Sequence, residues 1–139
     1  MCLITELRMT EEKQVDEQLV LSYFENRSVL DHYEEATRRV GLWASEELVI
    51  KHSFPKYSTK LLELGCGVGR ISFSLWMMGY ENLTATDISS KMIKRASAIQ
   101  KERRSAIQFN QENATNLTFS SGLFDGIIFG FNGLMQIPH

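Results

Sequence analysis

The sequence predicts an α/β fold, a doubly wound parallel sheet with a helical cap in front of it, on three observations. After Thr59, short apolar runs alternate with longer amphipathic ones, the order that builds parallel βαβ units. A glycine run, Gly65, Gly67 and Gly69, falls at the first strand-to-helix turn. The first sixty residues hold one proline and one glycine, and their apolar residues recur at helical spacing.

Thr10 followed by Glu11, Glu12 and Lys13 predicts a capped helix running to about Asn26. A second helix is predicted over Ser28 to Val40 and stopped by Gly41, and a third, short one opens at Ser45 and ends before Pro55. Residues 1–58 thus form an N-terminal helical cap, and 59–139 the sheet. Strand Lys60 to Leu64, helix Arg70 to Met78, strand Asn82 to Thr86, helix Ser89 to Lys101, strand Ala106 to Asn110 and strand Phe124 to Phe129 follow in order. The four strands are expected in the spatial order 3-2-1-4, with ligands at their carboxyl ends.

At 139 residues one domain is the ceiling, and 43% hydrophobic residues are enough for a core. Fifteen basic against seventeen acidic residues give no global field for nucleic acid or an anionic membrane. The charge is unevenly placed. Residues 1–60 hold 8 basic and 11 acidic side chains, and 61–139 hold 7 and 6. No apolar run is long enough to cross a bilayer and the start lacks a signal-peptide core, so no membrane partner and a cytoplasmic location are expected. Two cysteines, Cys2 and Cys66, and three scattered histidines, His32, His52 and His139, match no metal spacing.

The glycine run lets the chain turn sharply and lets a ligand approach the main chain. Asp87 stands at the end of the second strand, where a carboxylate can accept both hydroxyls of a ribose lying across the strand tips. It also reads as an N-cap for the next helix, although Ser89 can fill that role. A dinucleotide fingerprint is spaced G-x-G-x-x-G around a pyrophosphate, whereas here the spacing is G-x-G-x-G and Glu63 stands two residues before it. A carboxylate repels pyrophosphate and attracts an ammonium or sulfonium group. An NAD-dependent oxidoreductase is therefore the less favoured reading.

Glu63-Leu64-Gly65-Cys66-Gly67-Val68-Gly69-Arg70, followed by Asp87-Ile88-Ser89 and Met92, resembles the class I S-adenosylmethionine-dependent methyltransferase family, whose fold is Rossmann-like. The resemblance runs from about Leu61 to Gln136. It implies S-adenosylmethionine as cofactor, with Glu63 near the methionine amino group and Gly65, Cys66, Gly67 and Gly69 forming the loop beside it. It implies Asp87 on the ribose and Ile88 on one adenine face, with Met92 close by. Gln111-Glu112-Asn113-Ala114 is similar to the family's third-strand motif, in which an acidic residue before Ala meets the adenine amino group. Here that residue is Asn113, a departure, whose amide oxygen can accept the same bond. Phe131 and Asn132, in the loop after the fourth strand, read equally as ligand contacts and as loop packing.

Tyr23, Tyr33 and Trp43 read either as core or as an aromatic flap over a cation. Lys91, Lys94, Arg95, Lys101, Arg103 and Arg104 read as the solvated face of the second crossover helix, and nucleic acid is not an expected partner. The family's Asn-Pro-Pro-aromatic motif, which serves amino groups of bases and glutamine, is absent, and this leads to the expectation of a small-molecule methyl acceptor with an N, O or C nucleophile. No catalytic residue and no metal ligand is identifiable. Members of the family carry a seven-stranded sheet, so four strands also suit a truncated cofactor-binding fragment without catalytic activity. In that case the fourth strand becomes an exposed sheet edge through which a homodimer is expected.

Overall fold

In the computed structural model residues 16–130 and residue 137 are described. Three helices, α1 (Glu17–Phe24), α2 (Arg27–Arg39) and α3 (Ala44–Ser53), precede β1 (Leu61–Leu64), α4 (Arg70–Met77), β2 (Leu83–Asp87), α5 (Ser90–Arg103), β3 (Gln108–Gln111) and β4 (Gly126–Ile128). All strand pairs are parallel, in the order β3-β2-β1-β4. This is the order the sequence predicts, and it puts the glycine loop after β1 at the middle of the sheet, where the strand order reverses.

Boundaries differ by a residue or two for local reasons. The predicted start at Thr10 lies outside the described residues; Asp16 caps α1, its carboxylate accepting the Leu19 N–H at 2.7 Å. Asn26 ends no helix but opens α2, accepting the Ser28 N–H at 2.9 Å. α5 runs two residues past Lys101 and ends at Arg104, which adopts the left-handed conformation at φ 52°. The third strand starts at Gln108, just after the buried Ile107, whose carbonyl accepts from Gln100 Nε2 at 2.5 Å.

β1 is buried along its whole length, the pattern of a central parallel strand covered on both faces. Phe73, Leu75, Tyr80, Ala85, Met92, Ile99 and Ile107 join it in the core. Asp125 works at the far end of the sheet from the glycine loop: its carboxylate accepts the Lys60 N–H and its own N–H donates to the Lys60 carbonyl, both at 2.9 Å. β4 is an edge among the described strands, and Ile127 on it is 57% exposed.

The cap packs on the core through Leu30, Ile50 and Phe54 and is tied to α5 by charge. Lys91 pairs with Glu25 at 3.2 Å, Arg95 with Asp31 at 2.6 Å and Glu34 at 2.9 Å, and Arg38 with Glu102 at 2.9 Å. The basic residues read from sequence as a solvated face are in part a docking face: Lys91 and Arg95 bind the acidic cap, and the Arg103 guanidinium lies 4.8 Å over the Phe73 ring. The uneven charge of the two halves is what makes this docking complementary. Among the described residues no helix is long and apolar enough to cross a membrane, and no group of three or more His, Cys, Asp or Glu is placed to hold a metal ion.

Candidate functional site

The end of β1 turns through Gly65, Cys66 and Gly67 into α4. The Cys66 N–H donates to the Thr86 carbonyl at 2.8 Å and the Thr86 hydroxyl to the Glu63 carbonyl at 3.1 Å, so the loop is stitched to the neighbouring strand. Gly67 holds φ +56°, a conformation L side chains rarely adopt, and a Cβ there would come within 3.4 Å of the Tyr33 ring. Its N–H donates to Asp87 Oδ2 at 2.8 Å, while Asp87 Oδ1 accepts the Ser89 N–H at 2.9 Å. Ser89 caps α5 through the Met92 N–H, which releases Asp87 from that duty.

Two acids flank this loop. Glu63 is buried on β1 and accepts a hydrogen bond from the Ser72 hydroxyl. Burial pushes its carboxyl up to about 7, against the pull of the Ser72 hydroxyl and of Arg70 nearby. Asp87 is also raised by burial, and the three backbone N–H groups of Ser89, Gly67 and Ile88 oppose the rise. Burial likewise pushes the Cys66 thiol up, so it is a packing group and not a nucleophile.

A cavity of about 940 Å³ opens over the loop. Its floor includes Glu63, Gly65, Cys66, Gly67, Asp87, Ile88 and Met92, its far side Asn113 and Ala114, and its roof Tyr23, Phe24, Tyr33 and Trp43 from the cap. Gly69 is not among the lining residues; a Cβ on it would sit 3.0 Å from the rings of Phe109 and Phe73, so it serves close packing of the turn on the sheet. Phe131 and Asn132 lie outside the described residues. Phe129 and Gly130, just before them, line the cavity.

Asn113 lines the cavity with its amide already engaged. Its amide oxygen already accepts the Thr115 N–H at 2.9 Å and the Thr115 hydroxyl at 2.7 Å, and its amide nitrogen donates to Glu17 Oε2 at 3.2 Å. Both lone pairs of that oxygen are taken, so as placed it offers no acceptor to an adenine amino group. The aromatic cap residues are neither core nor free: Tyr23 and Trp43 are more than half exposed, and the Tyr33 ring packs on Gly67 and edge-on to Phe24 at 5.9 Å. Burial raises the Tyr33 phenol, helped by Tyr23 and Asp87.

The sequence reading missed Arg70 as a wall residue, together with its partner Glu46. The guanidinium forms a two-pronged pair with the carboxylate, both prongs at 2.7 Å, across a sequence gap that no local pattern signals. The hint available was position alone, since Arg70 directly follows the glycine run.

Three comparisons place this geometry among known proteins. The chain is 36% identical over 75 residues to the eEF1A lysine and N-terminal methyltransferase of Danio rerio, covering 54% of this chain and 11% of that protein. It is 30% identical over 105 residues to the protein of that name from Xenopus laevis, covering 70% of this chain and 15% of the relative. The chain therefore spans only a small part of the curated relatives it matches. Its fold matches magnesium protoporphyrin IX methyltransferase from Synechocystis PCC 6803, solved with bound S-adenosylhomocysteine, at a TM-score of 0.61 and 21% identity, covering 82% of this chain and 57% of that one.

The names of these two relatives correct the expectation of a small-molecule acceptor, because they give a protein as the substrate. The missing Asn-Pro-Pro-aromatic motif serves planar, conjugated amino groups; its absence says nothing against the tetrahedral amines of lysine or a protein N-terminus. Residues 61–139, more than half of the chain, match the methyltransferase-domain family. With the glycine loop, the strand-end acids and the 3-2-1-4 sheet, the chain belongs to that family, in its class I S-adenosylmethionine-dependent branch.

Proposed function

We propose that the chain holds S-adenosylmethionine over its glycine loop and belongs to an enzyme that methylates an amino nitrogen of a protein. The observation that carries the first half is the pair of carboxylates, Glu63 and Asp87, set at the tips of adjacent strands around Gly65, Cys66 and Gly67. Two acids in one wall favour a ligand bearing ammonium and sulfonium charges and disfavour a pyrophosphate, which tells against NAD.

The residues divide the work of holding the cofactor. Asp87 Oδ2 accepts the Gly67 N–H and Oδ1 the Ser89 N–H, which orients the carboxylate at the strand tip toward a ribose hydroxyl. Glu63 titrates near neutrality, so an ammonium group beside it would favour its ionised form. Ile88, Met92 and Ala114 supply apolar wall for a purine, whose amino group must find an acceptor other than Asn113. Bound S-adenosylmethionine supplies a methyl group on a positively charged sulfur. The chain's own contribution is orientation, and positioning of this kind reaches ~7–11 kcal/mol in favourable cases.

The second half rests on the relatives, which act on lysine and N-terminal positions of eEF1A, and on the charge of the wall. Asp16, Glu17 and Glu112 join the two strand-end acids there, whereas Arg70 is neutralised by Glu46. A cationic side chain suits such a mouth. Incubating the chain with methyl-tritiated S-adenosylmethionine and purified eEF1A tests this: label should enter the acceptor protein and be lost when its amino groups are acetylated beforehand. Label that enters a small-molecule fraction and no protein would refute the acceptor assignment.

A further inference from the structure

Arg70 is the first residue of α4, directly behind the glycine loop, and it reaches across to the cap. Its Nη1 donates to the Gly41 carbonyl and to Glu46 Oε2, and its Nη2 to Glu46 Oε1, all at 2.7 Å. The two side chains are only 14% and 19% exposed. Glu46 Oε2 also accepts the Trp43 N–H at 2.9 Å, and the Arg70 guanidinium carbon lies 6.0 Å from the centre of the Trp43 ring.

One ion pair therefore grips both ends of the crossing 41–43 between α2 and α3. The crossing is shaped for this. Gly41 holds φ +66°, its missing side chain faces the Ser74 hydroxyl at 3.5 Å, and that hydroxyl donates to the Arg70 carbonyl at 2.8 Å. Trp43 stands in the cavity wall while 53% exposed. Its backbone N–H is held by Glu46, and its ring lies beside the Arg70 guanidinium.

We propose that Arg70 is a positioning residue: paired with Glu46, it pins the 41–43 crossing to the glycine loop and so sets Trp43 as the wall that contacts bound cofactor. The contact rests on the S-adenosylmethionine reading above; the pinning does not. A lysine at position 70 keeps the charge but cannot form the planar two-pronged pair, so it serves only in part.

The test is a double-mutant cycle in the 139-residue chain carrying Trp76→Phe, which leaves Trp43 as the sole tryptophan. Titration calorimetry with S-adenosylmethionine should show Arg70→Met and Trp43→Ala each weakening binding by about tenfold, the range for one lost aromatic contact to a cation. The double variant should bind no more weakly than the worse single one, with Arg70→Lys intermediate. Glu46→Gln, which keeps the side-chain shape, should reproduce Arg70→Met and covers the case in which the latter does not fold. Without ligand, acrylamide quenching of Trp43 should rise by about twofold in Arg70→Met and Glu46→Gln, since loss of the pair frees a residue already near the surface. Additive losses of affinity, or unchanged quenching in both variants, would overturn the proposal. If the parent chain binds no S-adenosylmethionine, the cofactor reading and the contact fall together, and the quenching decides the pinning by itself.

Discussion

The floor and the roof of the cavity are built on different principles. The floor is β1, the glycine loop and the tips of β1 and β2, where every residue of the strand is buried and the loop is stitched to β2 by short backbone bonds. The roof is the cap, in which α1 contributes no buried residue, α2 only Leu30 and Thr37, and α3 only Ile50. The roof packs on the core through Leu30, Ile50 and the half-buried Phe24, Tyr33 and Phe54, and is tied to α4 and α5 by ion pairs of Glu25, Asp31, Glu34, Arg38 and Glu46. The floor is thus set by core packing, which is indifferent to salt. The roof leans more on polar tethers, which are not.

The largest expected effect breaks the floor. Asp87→Ala removes the acceptor of the Gly67 and Ser89 N–H groups together with the ribose contact, and affinity for S-adenosylmethionine should fall by about 100-fold or more in titration calorimetry. Stability should fall by only ~1–2 kcal/mol in urea unfolding. A loss of stability with affinity intact would reduce Asp87 to a loop brace.

Next in size is the titration of Glu63. Its folded pKa of about 7 lies above the ordinary carboxylate value of 4.5, so the folded chain holds this proton more tightly than the unfolded one. The stability this gives is present at low pH and is lost as pH rises from about 4.5 through 7, by about 3 kcal/mol relative to Glu63→Gln. Binding of an ammonium-bearing ligand runs the other way. Affinity should climb between about pH 6 and 8 in the parent chain as the carboxyl ionises, and stay flat in Glu63→Gln.

The smallest effect sharpens the contrast at the roof. Arg95→Ala should cost no more than ~1 kcal/mol, because its partners Asp31 and Glu34 are partly solvated. Raising ionic strength to about 1 M, where screening acts beyond ~3 Å, should speed amide exchange in α1 and α2 of the parent chain while leaving β1 and β2 unchanged. Equal responses of the two regions would erase the distinction.

The same contrast governs what the sequence made legible. The floor was readable because its determinants are close in the chain: Glu63, the glycines and Asp87 fall within one βαβ unit, and the strand order follows from right-handed crossovers. The roof was not. The pairing of Arg70 with Glu46 and of Arg95 with Asp31 depends on how the cap lies on the sheet, and charge counts for each half announce only that the halves attract. Asn113 shows the same limit within a motif, since its oxygen was expected to face a ligand and a threonine two residues on takes it instead. The acceptor class was misread because a missing motif was made to stand for all amines.

The central claim is that the acids flanking the glycine loop make it a site for S-adenosylmethionine. Titration calorimetry of the folded 139-residue chain tests it most directly, with S-adenosylmethionine as ligand and NAD as competitor. One S-adenosylmethionine per chain, undisplaced by NAD, is the predicted result. A folded chain that gives no heat with S-adenosylmethionine, or that exchanges it for NAD, would contradict the account.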